Sequence, residues 1–336
     1  MEGKKTILLI NKSTSLNEIF RKALEEEGFI VTNFFEYQPP VFRKNIVQRG
    51  INIFYRTVLK DTTYLKNAEI KKAENFLISR SKSIGKNFDY ALFFRADLFP
   101  EKMIQNIKNS SKKMITYQYD GMDVCLNLLN YTKYFDRIFA FDRYDVEQYQ
   151  SFGLLPLTNC WFPDSDKNRD AKRDFFYVGV GLTERKKGIE KLAEYCMQND
   201  LTMKAVLTIP DYIEEYNDGF VSFLHKGLSY EENMMNVKES NVLIDFKLPY
   251  HEGLSFRFFE AMNYEKKLIT NNFSVKHYDF YHPNNIFICD YDSLFGLDEF
   301  LALPYISLDE NIKKKYSFGN WIKYVCDLGD YQKIDV

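Results

Sequence analysis

Short apolar runs recur along this chain, separated by stretches whose apolar residues return at helical spacing. That alternation restricts it to layered α/β folds built on parallel sheets. Thr6–Ile10 (TILLI) reads as the first strand, and Leu16, Ile19, Phe20, Ala23 and Leu24 then line one face of a helix that Gly28 ends. Phe29–Phe35, Tyr90–Phe94, Met114–Tyr119 and Arg137–Phe141 follow as strands of the same Rossmann-like half. Pro156, Pro163 and the charged run Asp164–Arg173 read as a linker, after which the pattern restarts. The second half has strands at Phe175–Val180, Met203–Leu207, Val221–Leu224, Val242–Phe246, Lys267–Thr270 and Ile286–Ile288, and a helix over Lys187–Met197. A last helix covers Tyr316–Leu328.

A chain of 336 residues suits two cores better than one, and a hydrophobic fraction of 45% can fill both. The reading is an α/β protein of two Rossmann-like domains whose parallel sheets face a central cleft. Its parts are a first domain at 1–165, a second at 166–315 and the C-terminal helix within 316–336. Cys125, Cys160, Cys196, Cys289 and Cys326 are scattered singly, which argues against a disulfide framework or a zinc site and for a reducing compartment. The apolar run after the basic start is too short for a signal peptide, and no stretch approaches a membrane span, so a cytoplasmic location is expected.

Charge is uneven: residues 41–86 carry eleven Lys/Arg against three acidic residues, in a chain of net charge −2. Within them, Val41–Lys60 places Phe42, Ile46, Val47, Ile51, Phe54 and Val58 near one helical face. A basic amphipathic helix fits peripheral contact with an anionic membrane, and core packing explains the apolar face equally well. His225, His251, His277 and His282 lack metal spacing, and the D-x-D runs at Asp164–Asp166 and Asp290–Asp292 fall in the linker and near the end of the second sheet. No metal site is expected. Asn11-Lys12-Ser13 stands where a dinucleotide fold would place G-x-G-x-x-G, and no basic-aromatic module of nucleic-acid type occurs.

The chemistry concentrates in His251–Asn272 (HEGLSFRFFEAMNYEKKLITNN), which follows the Val242–Phe246 strand and opens a helix at Ser255–Tyr264. Strand, small-residue loop and helix start together offer free N–H groups and the positive end of the dipole, a site for phosphate. Glu260, two turns along, is placed to accept both hydroxyls of a ribose, and Arg257 adds a cation for a diphosphate.

At these residues the sequence resembles a known family. Glu252-Gly253 followed by Glu260-Ala261 and Lys266–Thr270 is similar to the E-x7-E signature of retaining GT-B glycosyltransferases. Gly253–Ala261, Lys266–Asn271 and Tyr278–Ile286 (YDFYHPNNI) resemble, more closely, bacterial lipopolysaccharide and capsule glycosyltransferase-like proteins. Phe175–Gly179, Ser240–Phe246, Tyr134–Tyr144 and Tyr117–Asp120 extend the resemblance over roughly residues 85–290.

The resemblance implies a GT-B enzyme that moves a sugar from a nucleotide-diphosphate donor to a saccharide or lipid-linked acceptor in surface polysaccharide synthesis, with retention. It gives Glu260 the ribose, the backbone of Leu254, Ser255 and Phe256 the diphosphate with Arg257, and Glu252 the donor sugar. Lys187 would meet donor phosphates, with Arg185 beside it after the strand glycine Gly179, and Leu228, Ser229 and Tyr230 would cradle the base. Inversion would need a base from the first domain, for which Asp120 and Asp97 are candidates, and His251 beside Glu252 also falls in the cleft. No cofactor or metal is implied, the C-terminal helix would cross back to the first domain, and any membrane contact would be at the inner face of the plasma membrane. Two other readings stay open: a non-hydrolysing nucleotide-sugar epimerase, and a non-catalytic relative that binds nucleotide or glycan.

Overall fold

A computed structural model describes residues 4–36, 60, 63–85, 87–164 and 170–336. The first sheet has six parallel strands: β1 (Thr6–Ile10), β2 (Ile30–Asn33), β3 (Phe88–Phe94), β4 (Ser111–Gln118), β5 (Arg137–Ala140) and β6 (Leu154–Pro156). Their order is β2-β1-β3-β4-β5-β6. Residues 7–10 of β1 and 90–94 of β3 are buried on both faces, which is why these strands read as unbroken apolar runs. Helices α1 (Thr14–Glu26), α2 (Tyr64–Ser83), α3 (Glu101–Lys108) and α4 (Arg143–Gln148) complete this layer. Gly28, at φ +88°, takes the left-handed conformation that turns the chain from α1 into β2. The Val41–Lys60 stretch, save Lys60, lies outside the described residues.

The second sheet contains β7 (Arg173–Val180), β8 (Met203–Thr208), β9 (Tyr216–Asn217), β10 (Val221–Leu224), β11 (Ser240–Asp245), β12 (Lys267–Thr270) and β13 (Ile286–Ile288). The order is β13-β12-β11-β7-β8-β10-β9, parallel except for the short edge strand β9. Helices α5 (Thr183–Gln198), α6 (Tyr230–Lys238), α7 (Phe256–Asn263) and α8 (Leu297–Ala302) follow its strands. In each sheet the chain starts at an inner strand, works outward to one edge, then returns to fill the other side. The reversal falls between β1 and β3 in the first sheet and between β7 and β11 in the second, where the open crevice of such sheets takes ligands.

Two sequence expectations change. Pro156, read as part of a linker, closes β6; an edge strand tolerates a residue without an N–H donor. The expected C-terminal helix is α10 (Phe318–Cys326), opened two residues later than expected because Ser317 caps it by accepting the Asn320 N–H at 3.2 Å, and a further short helix, α9 (Glu310–Lys315), precedes it. α10 lies against the first sheet. Trp321 stacks on Phe94 of β3 at 6.3 Å between centroids, meets Tyr117 of β4 edge-on at 5.6 Å, and donates its indole N–H to the Thr158 carbonyl at 2.9 Å.

The aromatic richness of the chain has a place here. Phe162 stacks on Phe256 of α7 at 6.2 Å and on Phe318 at 5.3 Å, and Phe20 of α1 packs against both Phe162 and Trp321. One buried aromatic column therefore joins helices associated with both sheets. All five cysteines are buried and unpaired. Among the described residues no helix is long and apolar enough to cross a membrane.

Candidate functional site at the two switch points

Strand β11 ends in Asp245, whose carboxylate is pushed above the usual carboxylate range by burial. Two hydroxyls donate to it, Ser255 Oγ at 2.6 Å and Thr270 Oγ1 at 2.9 Å. Ser255 also caps α7, its Oγ accepting the Arg257 N–H at 3.2 Å. The start of α7 is thus tied to the strand end at the reversal of the sheet. Leu254 is buried and its carbonyl accepts from Asn159 Nδ2 at 2.9 Å, while Phe256 enters the aromatic column.

Glu260, one side of its carboxylate 2.9 Å from the Arg257 guanidinium, is 12% exposed. Burial raises its pKa, and Arg257 and Asn233 work against that rise. Arg257 is therefore turned along α7 towards Glu260 and over the Phe176 ring, rather than standing free at the helix start. Glu252 makes an ion pair with Lys247, and its carbonyl accepts from Ser274 Oγ at 2.7 Å and Asn272 Nδ2 at 3.0 Å. The Glu252 N–H is donated to Asp142, a residue of the first domain that also caps α4 through the Tyr144 N–H at 2.9 Å. His251 lies 4.8 Å from the Phe141 ring and 5.4 Å from Tyr250. Burial lowers its pKa against the opposing charges of Asp120, Asp142 and Asp245, which favours the neutral imidazole.

The remaining expected residues spread around this loop. Arg185 is next to Gly179, where an added Cβ would meet its NH1 at 3.4 Å, and its charge is felt at Asp245 and Tyr250. Lys187 is exposed on α5, and the acid it acts on is Asp292, which is paired with Lys191 at 2.8 Å. Ser229 caps α6 in a reciprocal box with Glu232. Leu228, Ser229 and Tyr230 face Glu18, Ile19 and Lys22 of α1 across a cleft of about 480 Å³. Asp120 ends up beside Arg95 and Asp97 at the carboxyl ends of β3 and β4, close enough to His251 for its charge to act there.

Asp245, Lys247, Asn233, Asp142 and Arg95 were not singled out in the sequence. For Asp245 there was a signal, a lone acid closing a buried apolar run; for Asp142 the signal was an acid in front of a short helix. Lys247 and Arg95 acquire partners only in the folded chain.

Asp145, on α4, steadies the turn after Asp120 by accepting the Met122 N–H at 2.8 Å. Burial raises its pKa from 3.8 to about 6. The unfolded chain holds this acid near its ordinary value, so between about pH 4 and pH 6 the folded state binds the extra proton. Its contribution is favourable at the low end and is lost as pH rises through 6. Asp145→Asn is expected to remove that component, so that the Tm difference between variant and wild type shifts in favour of the variant from pH 4 to pH 6. A constant difference over that range would refute the assignment.

No family model matches the sequence, and no curated protein matches it either. Solved structures do match. An α,α-trehalose-phosphate synthase (UDP-forming) from Burkholderia vietnamiensis is similar at TM-score 0.56 and 11% identity, over 90% of this chain and 92% of that one. A glycotransferase of kitacinnamycin matches at TM-score 0.42 and 10% identity, over 93% of each chain. An E. coli heptosyltransferase with ADP matches at TM-score 0.37 and 12% identity, over 88% of this chain and 98% of that one. What is shared at such identity is the fold: two Rossmann-like sheets in the GT-B arrangement.

Proposed function

We propose that this protein is a glycosyltransferase that takes a nucleotide-diphosphate sugar in its second domain and passes the sugar to an acceptor held by the first. The observation that carries the reading is the start of α7. There the Asp245–Ser255 bond fixes a helix N-terminus at the switch point, with the buried carboxylate of Glu260 further along the same helix. The backbone at Leu254–Phe256 would hold the diphosphate, with Arg185 as the nearby cation. Glu260 would take the ribose hydroxyls, with Arg257 and Asn233 orienting it. The base would lie in the cleft between Leu228–Tyr230 and α1. Charge that grows on the departing diphosphate is met by dipoles and cations already in place, commonly the largest part of catalysis in such sites.

Glu252, held by Lys247, is the group assigned to the donor sugar. Retention and a role in lipopolysaccharide or capsule synthesis at the inner face of the plasma membrane follow from the sequence resemblance. The anomeric configuration of the product, read by NMR, decides the first. If the product is inverted, Asp120 is favoured as base over Asp97, whose carboxylate is engaged by Arg95 on both oxygens. An epimerase would turn over donor alone, and a non-catalytic relative would bind without turnover.

A thermal-shift screen with UDP, GDP, CDP and dTDP and their sugars tests the reading. A nucleotide at about 100 times its Kd adds about 2.7 kcal/mol of stability, and no shift with any of them would sink the proposal. Glu260→Ala is expected to weaken the responding nucleotide by about 1–3 kcal/mol, the scale of a lost hydrogen bond to a charged group. Titration calorimetry showing unchanged affinity would remove Glu260 from the site.

A further inference from the structure

A cavity of about 400 Å³ opens between the start of α4 in the first domain and the turn Phe273–His277 after β12 in the second. Such a volume lies within the roughly 300–1,000 Å³ of small-molecule sites. Of the residues proposed to meet the donor or the acceptor, only Glu252 lines it. Each domain brings an aromatic ring to this cavity, Tyr144 from α4 at 63% exposure and Phe273 from the turn at 56%. Lys276 lies over the Phe273 ring, 5.7 Å from its centroid. Arg143 is held through Nε by Glu147 at 2.8 Å, and among the described residues its terminal nitrogens meet no acceptor. Tyr278 also lines the cavity although it is only 8% exposed, and its hydroxyl has no hydrogen-bond partner among the described residues. The charges of Arg143 and Asp142 both act on that hydroxyl, which puts it within their reach. A buried tyrosine hydroxyl ordinarily finds a partner in its own chain. This one faces a cavity instead.

We propose that this cavity is a saccharide-binding site separate from the donor and acceptor walls, and that a sugar ring seated there joins the two domains. A pyranose presents C–H groups on its faces and hydroxyls around its edge, so it calls for open aromatic surface beside convergent hydrogen-bonding groups. Tyr144 and Phe273 supply the surface. The Tyr278 hydroxyl can donate or accept, and the Arg143 N–H groups donate, so together they suit hydroxyls that do both. Glu252 links the cavity to the rest of the molecule. It lines the cavity while its N–H is held by Asp142 and its carbonyl by Ser274. A ligand that touches both walls binds only the arrangement in which they face each other, and so favours it. The 250–254 loop is thereby held in place. Nothing in this site depends on a nucleotide sugar at the switch points.

Saturation-transfer NMR of the full chain with the methyl glycosides of glucose, galactose, mannose and N-acetylglucosamine tests this. At least one is expected to bind, and to weaken about tenfold in Tyr278→Phe, the scale of one lost hydrogen bond, and in Phe273→Ala. The first variant keeps the buried ring and the second alters an exposed one; circular dichroism and Tm report that both are folded. Binding is also expected to slow amide exchange at Glu252, whose N–H is shared between the domains. No glycoside signal, binding indifferent to either substitution, or unchanged exchange at Glu252 overturns the proposal. So does binding that Asp120→Ala abolishes and the other two spare, which would return the sugar to the cleft. The nucleotide thermal shift is read on the same samples. Glycoside binding that follows Tyr278 and Phe273 with no nucleotide response defeats the glycosyltransferase reading and leaves this site standing, and the reverse pattern defeats this site alone.

Discussion

Trp321→Ala is expected to cost about 3–5 kcal/mol of unfolding free energy, the range for removing a large aromatic side chain from a packed core. Trp321 is fully buried and touches a neighbour on nearly every side: Phe94 stacked, Tyr117 at its edge, Phe20 tilted, Phe318 stacked at 5.8 Å. These partners come from β3, β4, α1 and α10, four elements that cannot all move inward to fill the space. The cavity would therefore persist rather than collapse. The indole N–H is also the donor for the Thr158 carbonyl, which would be left buried and unsatisfied. Two residues beyond Thr158 lies Cys160, then Trp161 and Phe162, so the same loss loosens the segment that feeds the aromatic column. Urea denaturation followed by tyrosine and tryptophan fluorescence measures the effect. A loss below about 1 kcal/mol would mean that the site repacks and that α10 does not hold the first sheet as described.

The parts of this structure that could be read from sequence are those set by local pattern. β1, β10, β12 and β13 were legible residue for residue because each is a short stretch rich in apolar residues between polar ones. The α7 helix was legible from its Ser255 cap and apolar spacing. β6 was hidden by Pro156, since a proline in a short run argues against a strand unless one knows that the strand lies at an edge. α9 was not read because its six residues, Glu310–Lys315, are mostly charged and carry no apolar periodicity.

The site divides along the same line. Glu260 and Arg257 belong to one helix, so their neighbourhood follows from spacing, yet the ion pair that joins them also needs Asn233 from α6 to complete it. Arg95 and Asp120 stand just beyond the ends of adjacent strands, and Asp142 reaches Glu252 from the other domain. Such pairings depend on sheet order and domain packing, which no local window contains.

Gly121→Ala is expected to leave both sheets folded and to dislodge the 250–254 loop of the second domain that packs against it. The backbone of Gly121, at φ −60° and ψ 147°, suits any residue, so the change introduces no conformational strain of its own. The obstacle is steric: an added Cβ would overlap the carbonyl oxygen of Tyr250 and come within 3.2 Å of the His251 Cβ. A carbonyl oxygen is backbone and cannot swing aside like the end of a side chain, so the 250–254 loop must shift. Gly253 closes the contact from the other side, since a Cβ there would sit 2.5–2.6 Å from three ring carbons of Phe141. Each domain thus offers a glycine to the other, and the Asp142 bond to the Glu252 N–H depends on that close approach. Amide exchange at Glu252 should quicken in the variant while that of β3 and β11 stays slow. Under the proposed activity, displacement of the loop by about 1 Å would lower turnover by about 100-fold, with nucleotide affinity changed far less because Glu260 and Asn233 lie beyond the contact. Unaltered protection of the Glu252 amide would show that the interface yields elsewhere, and the two glycines would then be tolerated packing rather than the joint that sets donor and acceptor walls against each other.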